Sequence, residues 1–532
     1  MLNRKSRLAR LLWGIAGLLR AFPLVAAVCV AIGVFAVYSA VNGGIQLSGP
    51  LYSPAAHATV VTFTLLSALV VPIVVCGIWA CRRFVSVMVT QNFGLCTGMR
   101  SRDQQDEPTA LTEWLHDLFQ CVAGKPAGPP LTFGDLRQVA FAETPQVDGI
   151  VLRMMTTCLT GGRPYTMPIE EDCFYFNPEE LRVYFPGDVI AWLTDPARKR
   201  QNIAMHEQTG AGANSRTNSP CDQDPSLLAL PIGDELPVIL GVRMSLCFPI
   251  LLSAIPLYRN SLRRVKPGKP GEEPAWERYV ERVLFTDGGV CSNLPIHLFD
   301  APLPAWPTFA INLRDDFDSS WESVEDRAVR PKRGQGFAGD SNPIPHKNEL
   351  GSVIAFLAAI VTTMQNWRDV LQRSAGGSRD RVVTVRHTGE EGGLNLDMDQ
   401  DAITRMATSG KLAASKLIDG FCPSPRSPQL NDDWTYHRWV RLRIQLRAMD
   451  EQIRKLGKNV TSLHNQPTVP DLLNHPAPYV GDSYAMDAPD RAAARQFLEE
   501  LTRVESAMDA LQHDFQKHSP KPGSDLRVTP RF

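Results

Sequence analysis

The chain is 532 residues long, which leaves room for roughly three average domains. Its 44% hydrophobic and 21% charged content excludes a disordered chain and describes an ordinary globular protein. A formal net charge of −1 excludes a global electrostatic footprint for nucleic acid. The 11 cysteines form no Cys-x-x-Cys pair and meet no histidine at ligand spacing, so neither a structural zinc site nor a disulfide framework is expected. Thiols in a reducing compartment are the simplest reading. Nothing in the composition calls for a cofactor, and the oligomeric state is not readable from it.

The basic leader Arg4-Lys5-Ser6-Arg7-Leu8-Ala9-Arg10 precedes an uncharged apolar run from Phe22 to Val41. A second uncharged run, Ala58 to Cys81, ends at Arg82-Arg83. Each is long enough to cross a hydrocarbon core as a helix. A cleaved signal peptide is disfavoured, because its apolar region is shorter and a second span follows closely here. A buried core hairpin is disfavoured as well, since core helices rarely stay free of charge for so long. Lys and Arg flank the outer ends of the pair, while the link Asn42 to His57 carries neither. That bias puts both termini and everything after Arg82 on the cytoplasmic side. Residues 1–83 are expected to form a membrane hairpin, with spans near 22–41 and 58–81.

Phe84 to Thr90 alternates and is β-branched, which predicts a strand leaving the membrane. Ala110 to Val122 carries Leu111, Trp114, Leu115, Leu118 and Phe119 at helical spacing, and Gly124 to Pro130 ends that helix. Ile150 to Leu159 reads as a strand or the start of a buried helix, closed by Gly161-Gly162-Arg163-Pro164. Phe174 to Phe185 is rich in aromatics. Lys199 to Pro225 is polar and predicts a surface loop. Leu236 to Leu257 is densely apolar and predicts a helix with a proline-marked boundary. An apolar strand then runs up to Asp287, and Pro307 to Leu313 predicts another. Asp316 to Asn348 reads as a long loop. Val353 to Val370 and Ala402 to Ile418 are helix-like, with a short strand at Val382 to Val385 between them and a turn before a strand at Gly392 to Leu396. Alternating strands and helices favour an α/β core with a largely parallel sheet over residues 84–421. In the tail, 422–532, one stripe is Trp439, Leu442, Leu446, Met449, Ile453 and Leu456. A second is Leu501, Val504, Met508, Leu511 and Phe515. Both step by three and four and predict an antiparallel helix pair packed on its own core.

The most informative stretch is Leu284-Phe285-Thr286-Asp287-Gly288-Gly289-Val290-Cys291-Ser292-Asn293-Leu294-Pro295-Ile296. An apolar strand ends in Asp-Gly-Gly, and an Asn-x-Pro leads into a second apolar segment. Gly288 and Gly289 are expected to take positive φ and to keep the backbone clear of whatever approaches the carboxylate. A surface Asp-Gly turn is the plainer reading of the dipeptide.

These residues resemble the aspartate motif of patatin-like phospholipases. The resemblance covers about Leu131 to Phe421 and is carried by Arg243-Met244-Ser245-Leu246-Cys247-Phe248-Pro249, Ala254-Ile255-Pro256-Leu257-Tyr258, Phe285-Thr286-Asp287-Gly288-Gly289 and Ser292-Asn293-Leu294-Pro295. It implies an α/β domain with a mostly parallel sheet flanked by helices, a membrane lipid or other acyl ester as substrate, and no metal. Asp287 would be the base of a Ser-Asp dyad, with Gly288, Gly289, Asn293 and Pro295 supporting it. The family's Gly-rich loop and Gly-x-Ser-x-Gly elbow come earlier in the chain. No Gly-x-Ser-x-Gly occurs in this sequence.

The nearest arrangement is Gly94-Leu95-Cys96-Thr97-Gly98, following the expected strand Phe84 to Thr90, which makes Cys96 a candidate nucleophile. A buried cysteine in a glycine-bounded turn is its plain alternative. Ser245 and Ser253 lie inside apolar runs and fit helix packing better. Gly161-Gly162-Arg163 fits an ordinary turn better than an anion site. Three readings follow: a membrane-anchored C-terminal portion of a patatin-like lipid acyl hydrolase whose nucleophile half lies elsewhere; a catalytically inactive membrane-bound binding or scaffold protein on the same fold; or a hydrolase using Cys96.

Overall fold

The computed structural model describes residues 77–100, 109–126, 128–138, 149–170, 173–208, 220–264, 276–315, 324–331, 350–388, 391–392, 395, 397–422, 432–461, 468–474, 486–511 and 514–521. The chain divides into two compact units, Met1–Gly288 and Gly289–Phe532, so the boundary falls between the two glycines of the Asp-Gly-Gly motif. The run Phe22 to Val41 and most of Ala58 to Cys81 lie outside the described residues. Among the described residues, no helix is long and apolar enough to cross a membrane.

In the first unit, residues 77–90 are helical (α1), where the alternation of Phe84 to Thr90 predicted a strand. That alternation is short. The backbone closes its own bonds instead, as where Gln91 N–H donates to Val87 O at 2.9 Å, and so needs no strand neighbour. β1 (Gly94–Cys96), α2 (Leu111–Val122) and α3 (Phe133–Arg137) follow. α3 starts at a reciprocal cap: Thr132 Oγ1 accepts the Asp135 N–H, and the Asp135 carboxylate accepts the Thr132 N–H. β2 (Met154–Cys158) and β3 (Arg163–Met167) make a hairpin whose turn holds Gly162 at φ +62°. Gly161-Gly162 is therefore a turn, as the plainer reading had it.

Next come β4 (Tyr175–Phe176), α4 (Pro178–Leu181), α5 (Gly187–Leu193), α6 (Pro196–Gln208), α7 (Pro220–Gln223) and β5 (Leu228–Ala229). α6 and α7 occupy both ends of the Lys199 to Pro225 stretch that was expected to be a loop. Residues 209–219 lie outside the described residues. Hydrophobic periodicity misses α6 because its buried face is polar. Asn202 Nδ2 donates to Ala229 O at 3.3 Å, and the His206 Nε2 lies 2.8 Å from Leu230 O. Burial pushes the His206 imidazole below its ordinary value of 6.5. The unfolded chain therefore takes up the proton more readily, so stability present above pH 6.5 is lost as pH falls through and below that value. Thermal unfolding followed by circular dichroism is expected to show the midpoint dropping on acidification from about pH 7.5 to about pH 5.5. His206→Gln, which keeps an N–H donor but no titrating ring, is expected to flatten part of that slope.

α8 (Val238–Ser245), β6 (Ile250–Leu252), β7 (Ile255–Arg264) and β8 (Trp276–Asp287) complete the unit. The apolar stretch Leu236 to Leu257 is thus a short helix followed by two strands, broken near Pro249 where Ile250 sits at φ +73°. The six-stranded sheet has the order β3-β2-β8-β7-β4-β5, and its paired strands run antiparallel throughout. This corrects the expectation of a mostly parallel sheet. For the β2–β3 and β7–β8 pairs the connections 159–162 and 265–275 are too short for the crossover that a parallel pair requires, while the other three pairings are set by tertiary contacts. A parallel pair does occur between β1 and β6. Under the sheet, Tyr165, Phe174 and Phe285 meet edge to face at 5.2–5.5 Å within a core that also holds Leu240, Met244 and Val283.

The second unit contains β9 (Ala310–Asp315), β10 (Ala328–Val329), α9 (Leu350–Ser374), β11 (Val382–His387), α10 (Gln400–Phe421), α11 (Asp432–Thr461), α12 (Val469–Asn474) and α13 (Ala488–Ala510). β9 and β11 are parallel, and β10 joins β11 antiparallel. α10 covers this small sheet, burying Val383, Val385 and Ala328 against Ala413 and Leu417. The segment after Gly392 leads through the Asp399 cap into α10, not into a strand. In the tail, α11 and α13 run antiparallel, with Arg454 paired to Asp509. The buried face of α11 differs from the predicted stripe: Val440, Ile444 and Ala448 are buried, whereas Trp439, Met449 and Leu456 are about half exposed. Both units taken individually are α/β, with parallel and antiparallel pairings mixed.

Candidate functional site

Asp287 is the last residue of β8 and pairs across the sheet with Thr156. The period-two alternation of the strand puts it in the row of Val283 and Phe285, both fully buried. Its backbone N–H donates to Cys247 O at 3.1 Å, and the Thr286 hydroxyl donates to the same carbonyl at 2.7 Å. Thr156 Oγ1 bridges the Met244 and Thr286 carbonyls at 3.1 and 2.8 Å. The strand end is therefore tied to the C-terminal turn of α8 and to β2. Gly288 is buried, and an added Cβ there would lie 2.2 Å from Met155 O and 2.6 Å from Met155 C. Close backbone approach, not positive φ, is what requires glycine at 288, which corrects the expectation for that residue.

Arg243 and Cys247 are residues to which sequence reasoning gave no role. Arg243 is 1% exposed, and its Nη2 donates to Thr97 O at 2.9 Å and Ser253 O at 3.1 Å. Its Nη1 donates to the Cys247 Sγ at 2.8 Å, and that thiol donates to Arg243 O. Burial pushes the Cys247 thiol up to about 11; the Asp287 charge acts in the same direction, and Arg243 opposes both. Cys247 stays protonated at neutral pH and serves as a packed donor, not a nucleophile. An arginine at i and a cysteine at i+4 in an apolar helix is too weak a pattern to have identified this hub.

Cys96 lies on β1, in register with Leu252. Its side chain is exposed, and Sγ donates to Leu251 O at 3.0 Å. The residues before it are helical, and Asn92 and Phe93 turn the chain at φ +49° and +61°. A helix leading into a strand is the reverse of the strand-turn-helix that an elbow needs. The expected elbow around Cys96 is not formed, and neither is the buried turn of the plainer reading. Ser253 is buried, and its Oγ donates to Cys96 O at 3.2 Å, so its hydroxyl ties the two strands together. Ser245 ends α8.

Within the second unit, the loop after Gly289 is held by one carboxylate. Asp369, on α9 and 6% exposed, accepts the Ser292 hydroxyl at 2.6 Å, the Asn293 N–H at 2.5 Å and the Leu294 N–H at 3.0 Å. Asn293 Nδ2 donates to Asn366 Oδ1 at 2.8 Å, and Pro295 precedes the 3₁₀ turn Ile296–Leu298. Asn293 and Pro295 thus shape the loop. Asp369 was missed because a lone acid in an apolar helix looks like a surface charge. Asp369→Ala leaves three donors without their acceptor and is expected to cost about 3 kcal/mol. Faster amide exchange at Asn293 and Leu294, with a lowered unfolding midpoint, is the measured result.

Among the described residues, no cluster of three or more His, Cys, Asp or Glu side chains is placed to hold a metal. No family model matches the chain, and no solved structure matches it. An α/β protein with a strand-terminal aspartate is the class that fold and site define. The chain is 31% identical over 493 residues to the RpoH suppressor of Rhizobium meliloti (strain 1021), covering 86% of this chain and 72% of that protein. It belongs to the family of that protein.

Proposed function

We propose that this chain is a membrane-anchored, patatin-like lipid acyl hydrolase domain in which Asp287 is the carboxylate of a Ser-Asp dyad. One observation carries the reading: a core strand ends on Asp287 with Gly288 pressed against the Met155 backbone. In this chemistry a serine hydroxyl attacks the ester carbonyl and Asp287 takes its proton. Backbone N–H groups hold the oxyanion, and the carboxyl returns the proton to the departing alcohol. Water then hydrolyses the acyl-enzyme by the same steps. The serine elbow and Gly-rich loop belong to a segment outside the part that resembles the family. The two apolar runs near the start form the anchor, with the domain on the cytoplasmic side and membrane lipid or another acyl ester as substrate.

A second reading, an inactive membrane-bound binding or scaffold protein, is favoured by one observation. The sequence has no Gly-x-Ser-x-Gly, and its nearest counterpart, Gly94 to Gly98, contains a strand where the elbow should turn. By its name, the Rhizobium relative is a suppressor of RpoH. A corresponding effect of this chain is compatible with either reading. Turnover of phospholipid and of a soluble ester by the purified chain, alone and with the segment encoded upstream, separates the two. Hydrolysis that Asp287→Asn removes supports the dyad; a folded protein with no turnover in either form supports the scaffold. Hydrolysis sensitive to iodoacetamide and altered by Cys96→Ser would instead assign the nucleophile to Cys96.

A further inference from the structure

We draw no further inference here: the strongest candidate, the polar cavity of about 510 Å³ in the second unit lined by Arg330, Asp380, Lys416, Asp419, Asp433 and Tyr436, sets cations and carboxylates side by side, with Arg330 and Lys416 already donating to backbone carbonyls and to Asp433, so nothing in the structure selects the charge or chemical class of a ligand.

Discussion

On the proposed dyad, Asp287→Asn is expected to lower ester turnover by about 10²–10⁴. Asparagine has nearly the shape of aspartate but cannot take a proton from a hydroxyl at neutral pH. The backbone N–H of residue 287 keeps its bond to Cys247 O, and the cross-strand pairing with Thr156 does not involve the carboxylate. Fold and chemistry are read out separately at this position. A steady-state assay on a soluble ester, beside a thermal melt, reads both. Turnover equal to that of the unmodified chain removes Asp287 from the mechanism. Lost turnover with a lowered midpoint would mark the residue as structural.

Gly288→Ala is expected to lose about 3 kcal/mol of stability. The added carbon would sit 2.2 Å from Met155 O, a backbone atom of β2 that cannot swing aside. Relief requires β8 and β2 to part where Thr156 faces Asp287, in the middle of the bonds to Met244, Thr286 and Cys247. Gly187→Ala is the control: nothing lies within 4 Å of its added carbon, so its effect is expected to stay within about 0.5 kcal/mol. Denaturant unfolding of both variants measures the difference. A Gly288→Ala protein as stable as the control would show that the strands are not held that closely.

Much of the element inventory was legible because it rests on local patterns. The apolar steps of Leu111 to Phe119, Val353 to Val370 and Ala402 to Ile418 all mark helices, and the run ahead of Asp287 marks β8. Where the pattern was short or the buried face polar, the reading failed. Phe84 to Thr90 is helical, and α6 buries Asn202 and His206 instead of aliphatic side chains. The helix of the tail was found but not its buried face: α11 turns His437, Val440 and Ile444 inward and leaves Trp439 out. Both stripes step by three and four, and one helix offers several such stripes.

The candidate site divides in the same way. Asp287 stood out because an apolar run ending in Asp-Gly-Gly is a contiguous signal. Asp369 did not, since it acts on residues far from it in the chain, and Arg243 with Cys247 form too weak a local pattern to stand out.

By itself, the order of residues determined the strongly periodic helices and that a carboxylate closes one apolar strand. These features follow from backbone hydrogen bonding and apolar period over a few neighbouring residues. Tertiary structure alone decided that the large sheet is antiparallel, that Gly288 is demanded by the Met155 backbone and that Asp369 clasps the following loop. Each of these depends on contacts between residues distant along the chain, for which local sequence carries no period.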